Sequence, residues 1–398
     1  MVKVLHHQPF KGIYLTYLVF TLVFFRLPIW ILYYLNPGNR PRRTWTLKRC
    51  LAVEALRIFV ALNEVNPIQG RDPTKEVPDN ELTDAKFVWV NELADDVFCG
   101  EVRRAADQAK VVSSRLPGYW LLKKGMRLDD GWRARPKEKT LLHLHGGLFY
   151  IGSGHPSDLT ASITRGLLQH STVLRRTFAA DYRLAASYPN PPKNPFPTAV
   201  VDALAAYQFL IRECEFEPEN VIVMGDSAGG NIALALVRHL VENPIPSLPP
   251  PGKLLLMSPW ADLSSSRVGP GSSQTDNIPS DLFNVQSQGL FGDYGVTSLL
   301  GSLDLGEAKT NRYLSPASAH IAATDGLFTD FPETFVVAGG AERLLDDSKV
   351  LIERMESDGV RVSSAIPPDA VHDYFAFAWH EPERTETLRT IGRWIDGT

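Results

Sequence analysis

The hexapeptide Gly225-Asp226-Ser227-Ala228-Gly229-Gly230 sets a serine between two glycines, each two positions away. A very tight strand-to-helix turn requires that spacing, because a side chain at either flank would collide with the turn itself. The flanking sequence agrees: residues 221–224 are a short apolar run, and residues 228–240 carry apolar side chains at helical spacing. A serine on such a turn projects its hydroxyl into the cleft, and the helix N-terminus behind it favours developing negative charge. The chemistry implied is nucleophilic attack on a carbonyl, with Ser227 as the nucleophile.

Attack on a carbonyl creates an oxyanion that needs backbone N–H donors aimed at it. His145-Gly146-Gly147 follows the apolar run 141–144 and lies 82 residues before the serine. Adjacent glycines let the backbone come close to a substrate, so this turn is expected to face Ser227, with the N–H of Ala228 completing the hole. A serine hydroxyl also needs a base, and the base an orienting carboxylate. His372, in Ala370-Val371-His372-Asp373-Tyr374-Phe375, is late in the chain and follows a short strand read at 361–366; of the ten histidines only His380 is comparably placed. Glu342 stands just beyond the apolar strand run of Val336-Val337-Ala338-Gly339-Gly340, with Asp346 and Asp347 close behind it as other candidates for the acid.

These residues must be held by a sheet. Short apolar runs at 141–144, 221–224, 254–257 and 334–338 alternate with helical patterns at 198–211, 228–240, 344–355 and 385–395. That rhythm means βαβ units and a mostly parallel sheet wound on both faces, an α/β class. Two stretches break it: residues 36–85, with an amphipathic helix at 47–62, and residues 263–311, rich in Gly, Ser and Asp. Both are read as a cap over the sheet edge. The expected organisation is an N-terminal hydrophobic segment (1–40), a helical cap region (41–110) and a catalytic domain (111–398) with a cap insertion at 264–312.

A net charge of -4 gives no reason to expect nucleic acid as a partner. Three scattered cysteines (Cys50, Cys99 and Cys214) suit neither a disulfide framework nor a zinc site, and no metal or other cofactor is expected. Residues 13–35 are almost wholly apolar, with 14 Leu, Ile, Val or Phe in 23 positions. As a helix they would extend about 35 Å, enough for a bilayer core. Arg26 and Pro28 interrupt the run; a proline here kinks a helix without forbidding it. No small-x-small cleavage site follows, which disfavours a cleaved leader. A membrane anchor, spanning or half inserted, is therefore expected, with a soluble cap helix as the alternative. The basic residues Arg40, Arg42, Arg43, Lys48 and Arg49 after the segment favour a cytosolic catalytic part. A hairpin that never crosses stays open, and with it the sidedness.

Four motifs in sequence carry a resemblance. His145-Gly146-Gly147-Leu148-Phe149-Tyr150-Ile151-Gly152-Ser153, Asp181-Tyr182-Arg183-Leu184-Ala185, Gly225-Asp226-Ser227-Ala228-Gly229-Gly230 and Ser258-Pro259-Trp260-x-Asp262-Leu263 come in the order seen in the hormone-sensitive-lipase family of α/β-hydrolases. The likeness runs from about residue 141 to the C-terminus. The N-terminal segment, with Pro9-Phe10-Lys11 leading into it, also resembles fungal steryl acetyl hydrolases and arylacetamide deacetylases. The resemblance implies an α/β-hydrolase fold and a Ser227–His372–Glu342 triad. It assigns the oxyanion hole to Gly146, Gly147 and Ala228, and makes the Asp-Tyr-Arg-Leu segment a support beneath the site. It implies hydrolysis of a small hydrophobic ester, at a membrane expected to be the endoplasmic reticulum. The sequence departs from the family at three points: Leu148 stands where a fourth-position glycine is usual, Ala186 where a proline is, and Glu342 where an aspartate is. An acyltransferase on the same triad, or a receptor that has lost turnover, are the other readings of these residues.

Overall fold

Residues 7–65, 75–126, 132–283 and 293–398 are described in a computed structural model of the chain. Among the described residues eight strands form one sheet in the order β1-β2-β4-β3-β5-β6-β7-β8. They are β1 (Ala85–Val90), β2 (Leu116–Leu122), β3 (Thr140–Leu144), β4 (Arg176–Ala180), β5 (Val221–Asp226), β6 (Lys253–Met257), β7 (Glu333–Val337) and β8 (Val362–Ala365). β2 runs antiparallel to both of its neighbours, and every pair from β4 to β8 is parallel. The central strands are buried on both faces and accordingly read as continuous apolar runs. Helices Thr198–Gln208, Ala228–Glu242, Leu345–Ser357 and Glu383–Asp396 stand where the sequence rhythm put them, with ends shifted by a few residues.

β1 lies within the stretch read as helical cap, and it pairs Ala85 with Leu121 through Val90 with Leu116. β2 and β4 gave no clear apolar pattern. β2 contains Pro117 and Gly118, and a Cβ on Gly118 would stand 2.2 Å from the ring of Phe178 in β4. The glycine is room for that ring. β4 starts with Arg176, whose charge is met by Glu138 at 3.0 Å and whose guanidinium lies 4.5 Å from the centre of the Trp120 ring. Of the insertion expected at 264–312, residues 284–292 fall outside the described ones; the rest holds the short helices Ser273–Asp276, Asp293–Leu300 and Glu307–Thr310.

At the N-terminus a continuous helix covers Phe10–Leu35, long and apolar enough to cross a membrane, and only 6% of its most apolar window is buried. It is thus no core helix. Pro28 would clash with the carbonyl four residues before it, and a π-helical turn at Leu22–Arg26 loosens the ladder there. Leu18 and Tyr34 are its buried residues, and Tyr34 donates to Glu54 on the helix Leu47–Val65 at 2.7 Å. The segment that follows is fastened to the catalytic body. The buried Trp45 donates Nε1–H to the carbonyl of Asp369 at 2.8 Å, and Thr44 Oγ1 donates to its carboxylate at 2.6 Å. Arg42 donates to the carbonyl of Gly340 at 3.4 Å. Arg49 forms a two-pronged pair with Glu383, both arms 2.9 Å.

Candidate active site

Ser227 sits between β5 and the helix Ala228–Glu242 with φ 51° and ψ -117°, a conformation that a non-glycine residue holds only under constraint. The constraint is visible in its neighbours. A Cβ on Gly225 would stand 2.1 Å from the carbonyl oxygen of Gly229, and one on Gly229 would stand 1.9 Å from that of Leu144. Both glycines of the motif are steric necessities. The strained residue is then fixed by its backbone, its N–H donating to Met257 at 2.9 Å and its carbonyl accepting from Trp260 at 3.0 Å.

His372 brings Nε2 to 3.0 Å from Ser227 Oγ, and its Nδ1 lies 3.3 Å from Glu342 Oε2. Glu342 is held in turn by Ser258, whose hydroxyl donates to Oε2 at 2.7 Å. All three groups are buried. The other acids considered point elsewhere: Asp347 accepts from the N–H groups of Ala261 and Asp262, and Asp346 accepts from that of Ser273. His380 lies behind the loop, its Nε2 accepting from the N–H of Val371 at 3.3 Å; burial lowers its basicity, to about 4.

Of the three N–H groups expected to face the oxyanion, that of Gly146 is already engaged. The N–H of Gly146 donates to Asp226 Oδ2 at 2.8 Å, inside a buried network in which Asp226 Oδ1 is 2.7 Å from His143 Nε2. It is spent on positioning the loop. Among the described residues no hydrogen bond is made by the N–H groups of Gly147, Leu148 or Ala228. The first two lie on a left-handed turn, with φ 116° at Gly147 and 55° at Leu148; a Cβ on Gly147 would stand 2.1 Å from the carbonyl oxygen of Ile151. The third opens a helix that has no use for it. The Asp-Tyr-Arg-Leu segment props this loop from below. The Tyr182 ring stacks on His145 at 4.2 Å and its hydroxyl donates to the His145 carbonyl at 2.6 Å, while Arg183 is paired with Asp202 at 2.7 Å.

Above the serine is a cavity of about 320 Å³. Leu56, Phe59 and Val60 of the helix Leu47–Val65 form one wall, Leu282 and Phe283 another, and Leu148, Tyr150 and Ile151 a third. One lining residue had no role in the sequence reading. Asp373 Oδ2 lies 3.2 Å from His372 Nε2, on the same nitrogen that faces the serine. Burial pushes the Asp373 carboxyl up to about 7 against the pull of the histidine. For His372, burial alone would weaken the base; the carboxylates of Asp373 and Glu342 outweigh it and hold the imidazolium well above its ordinary range.

Residues 141–376 match a sequence family described as having an alpha/beta hydrolase fold. An acetyl-hydrolase of Streptomyces hygroscopicus is 29% identical over 262 residues, covering 65% of this chain and 74% of its own. An arylacetamide deacetylase of Oryctolagus cuniculus is 25% identical over 295 residues, covering 62% of this chain and 71% of its own. Among solved structures, a hormone-sensitive lipase from a metagenome library superposes with a TM-score of 0.55 at 27% identity, over 71% of this chain and 82% of that one. An esterase of the bacterial hormone-sensitive lipase family shares the fold over 89% of this chain and 99% of that one, with a TM-score of 0.60 at 22% identity. With the sheet order, the elbow at Ser227 and the family match over more than half its length all agreeing, the chain belongs to the α/β-hydrolases, in the hormone-sensitive-lipase-like group of carboxylic ester hydrolases.

Proposed function

We propose that this chain is a membrane-associated serine esterase that removes short acyl groups, acetyl foremost, from sterols or other hydrophobic alcohols, or from arylacetamides. The observation that carries the reading is the 3.0 Å approach of His372 Nε2 to Ser227 Oγ at the floor of an apolar-walled cavity. Ser227 attacks the carbonyl carbon while Nε2 takes the hydroxyl proton. Glu342 keeps the Nδ1 proton in place and stabilises the imidazolium. The N–H groups of Gly147, Leu148 and Ala228 receive the oxyanion. The imidazolium then protonates the leaving oxygen, and water, activated by the same base, releases the acid from the acyl-enzyme.

The acetyl preference is supported by the relatives named acetyl-hydrolase and arylacetamide deacetylase. Hydrolysis rates on p-nitrophenyl acetate, butyrate and decanoate test it. The expected order falls steeply from the shorter two to decanoate. Fastest turnover on decanoate would replace the deacetylase by a lipase. A folded protein with no turnover, and no labelling by a fluorophosphonate, would remove the enzyme.

Support for membrane association comes from the helix Phe10–Leu35, whose side chains Ile13, Phe24 and Leu32 are each more than 60% exposed. Leaving that much apolar surface in water is costly, at ~25 cal/mol per Å². Full-length protein is expected to stay in the membrane pellet after alkaline carbonate; release into the supernatant would refute the anchor. Nothing in the helix specifies the endoplasmic reticulum over another bilayer.

A further inference from the structure

Asp373 supplies something that the triad does not need. Its backbone takes a left-handed turn, with φ 51°, which brings the side chain back over the imidazole. Its N–H donates to Ser258 Oγ at 3.3 Å, the same hydroxyl that holds Glu342, so the carboxyl is fixed to the frame of the triad. Oδ2 lies 3.2 Å from His372 Nε2, and Oδ1 is buried with no hydrogen-bond partner among the described residues.

Among the described residues two other carboxyl groups line the cavity, both occupied. Asp226 serves His143 and Gly146, and Asp158 accepts from the N–H and hydroxyl of Thr160 at 2.8 Å. Among the described residues no lysine or arginine lines the cavity. Among the described residues the only cationic partner of Asp373 is therefore His372 itself, on Oδ2, which leaves Oδ1 as an acceptor without a partner.

Its position states what it would meet. In ester cleavage the leaving oxygen must come within hydrogen-bond reach of Nε2 to collect its proton. A carboxyl 3.2 Å from that nitrogen is then within reach of a group carried one or two carbons beyond the leaving oxygen. An ionised Asp373 in the empty site also competes with Ser227 for Nε2, because it favours the imidazolium, which cannot act as base. A donor on the substrate would draw the carboxylate away.

Building on the Ser227–His372 reading, we propose that Asp373 is a specificity-determining residue that binds a hydroxyl or amino group on the alcohol side of the substrate, adjacent to the scissile ester. The preferred substrates are hydrophobic esters of alcohols bearing a neighbouring donor, and esters whose alcohol carries a carboxylate are rejected.

The test is a matched pair, cyclohexyl acetate and trans-2-hydroxycyclohexyl acetate, with the full-length protein and its Asp373→Ala and Asp373→Asn variants. A hydrogen bond to an ionised group should give the wild type a preference of about tenfold in kcat/KM for the hydroxylated ester, most of it in KM. That ratio should fall to about one in Asp373→Ala, and to an intermediate value in Asp373→Asn, which keeps the shape and a neutral acceptor. A general loss of structure would lower both rates without moving their ratio, so the ratio isolates recognition. An equal preference in wild type, or a ratio unchanged in both variants, would overturn the proposal. If neither ester turned over and a fluorophosphonate failed to label Ser227, the esterase reading itself would fall, and the proposal with it.

Discussion

Replacing Ser227 by alanine is expected to lower kcat/KM on p-nitrophenyl acetate by roughly 10⁴- to 10⁶-fold while leaving the protein folded. The size follows from what the hydroxyl alone provides. Without it no acyl-enzyme forms, and water must attack directly at a site shaped for a covalent nucleophile. Residual rate comes from the hole and from binding, which the substitution leaves in place. The fold should survive because Ser227 Oγ makes no bond that structure depends on. Its constrained backbone is held by Met257 and Trp260 through main-chain atoms. Alanine in that turn keeps the strain without adding to it. Steady-state kinetics and a thermal melt on the same preparation check both halves. A variant that melts like wild type and retains more than a hundredth of its rate would displace Ser227 from the mechanism.

The second large effect is expected at Glu342. Changing Glu342→Gln keeps size and shape, yet the amide presents an N–H₂ toward His372 Nδ1 or an uncharged oxygen in its place. Nδ1 loses its anionic partner, the tautomer with a proton on Nε2 gains, and that nitrogen can no longer accept from Ser227. A fall of about 10⁴-fold in kcat is expected, equivalent to about 5 kcal/mol of transition-state stabilisation. The pH profile supplies a separate readout. In the wild type, carboxylates on both sides hold the imidazolium well above its usual range, so activity should be lost as pH falls through that raised value. With one anion removed, the residual activity of the variant should persist to lower pH. A profile that did not move, with kcat within tenfold of wild type, would mean that another group orients the base.

Much of this was written in local sequence, and the exceptions have physical reasons. β3, β5, β6 and β7 are buried on both faces, so each announces itself as an apolar run. The elbow is legible because its glycines answer a steric demand confined to five residues. β2 and β4 are hidden because the features that disguise them are solved by distant partners: Gly118 by the Phe178 ring, Arg176 by Glu138. Spacing alone could not tell which N–H groups of the His-Gly-Gly loop remain open. Gly146 is engaged because Asp226, eighty residues on, turns its carboxylate toward it, and the proposed donor role passes to the unengaged N–H of Leu148. Asp373 escaped notice for the opposite reason. It is adjacent to the base in sequence, but only its left-handed backbone angle directs it back onto the imidazole.

The segment between the apolar helix and the catalytic body couples two things usually considered apart. Trp45 and Thr44 grip Asp369, three residues before the base, and Arg42 reaches Gly340, two residues before the acid. If the apolar helix is seated in a bilayer, as proposed, part of any load on it would pass through these contacts, alongside the Tyr34–Glu54 bond. These contacts end on the two loops that carry His372 and Glu342, so on the proposed reading tension or shear at a bilayer would reach the registry of that pair. On that reading the segment would belong to the reaction centre's chassis as much as to the membrane attachment.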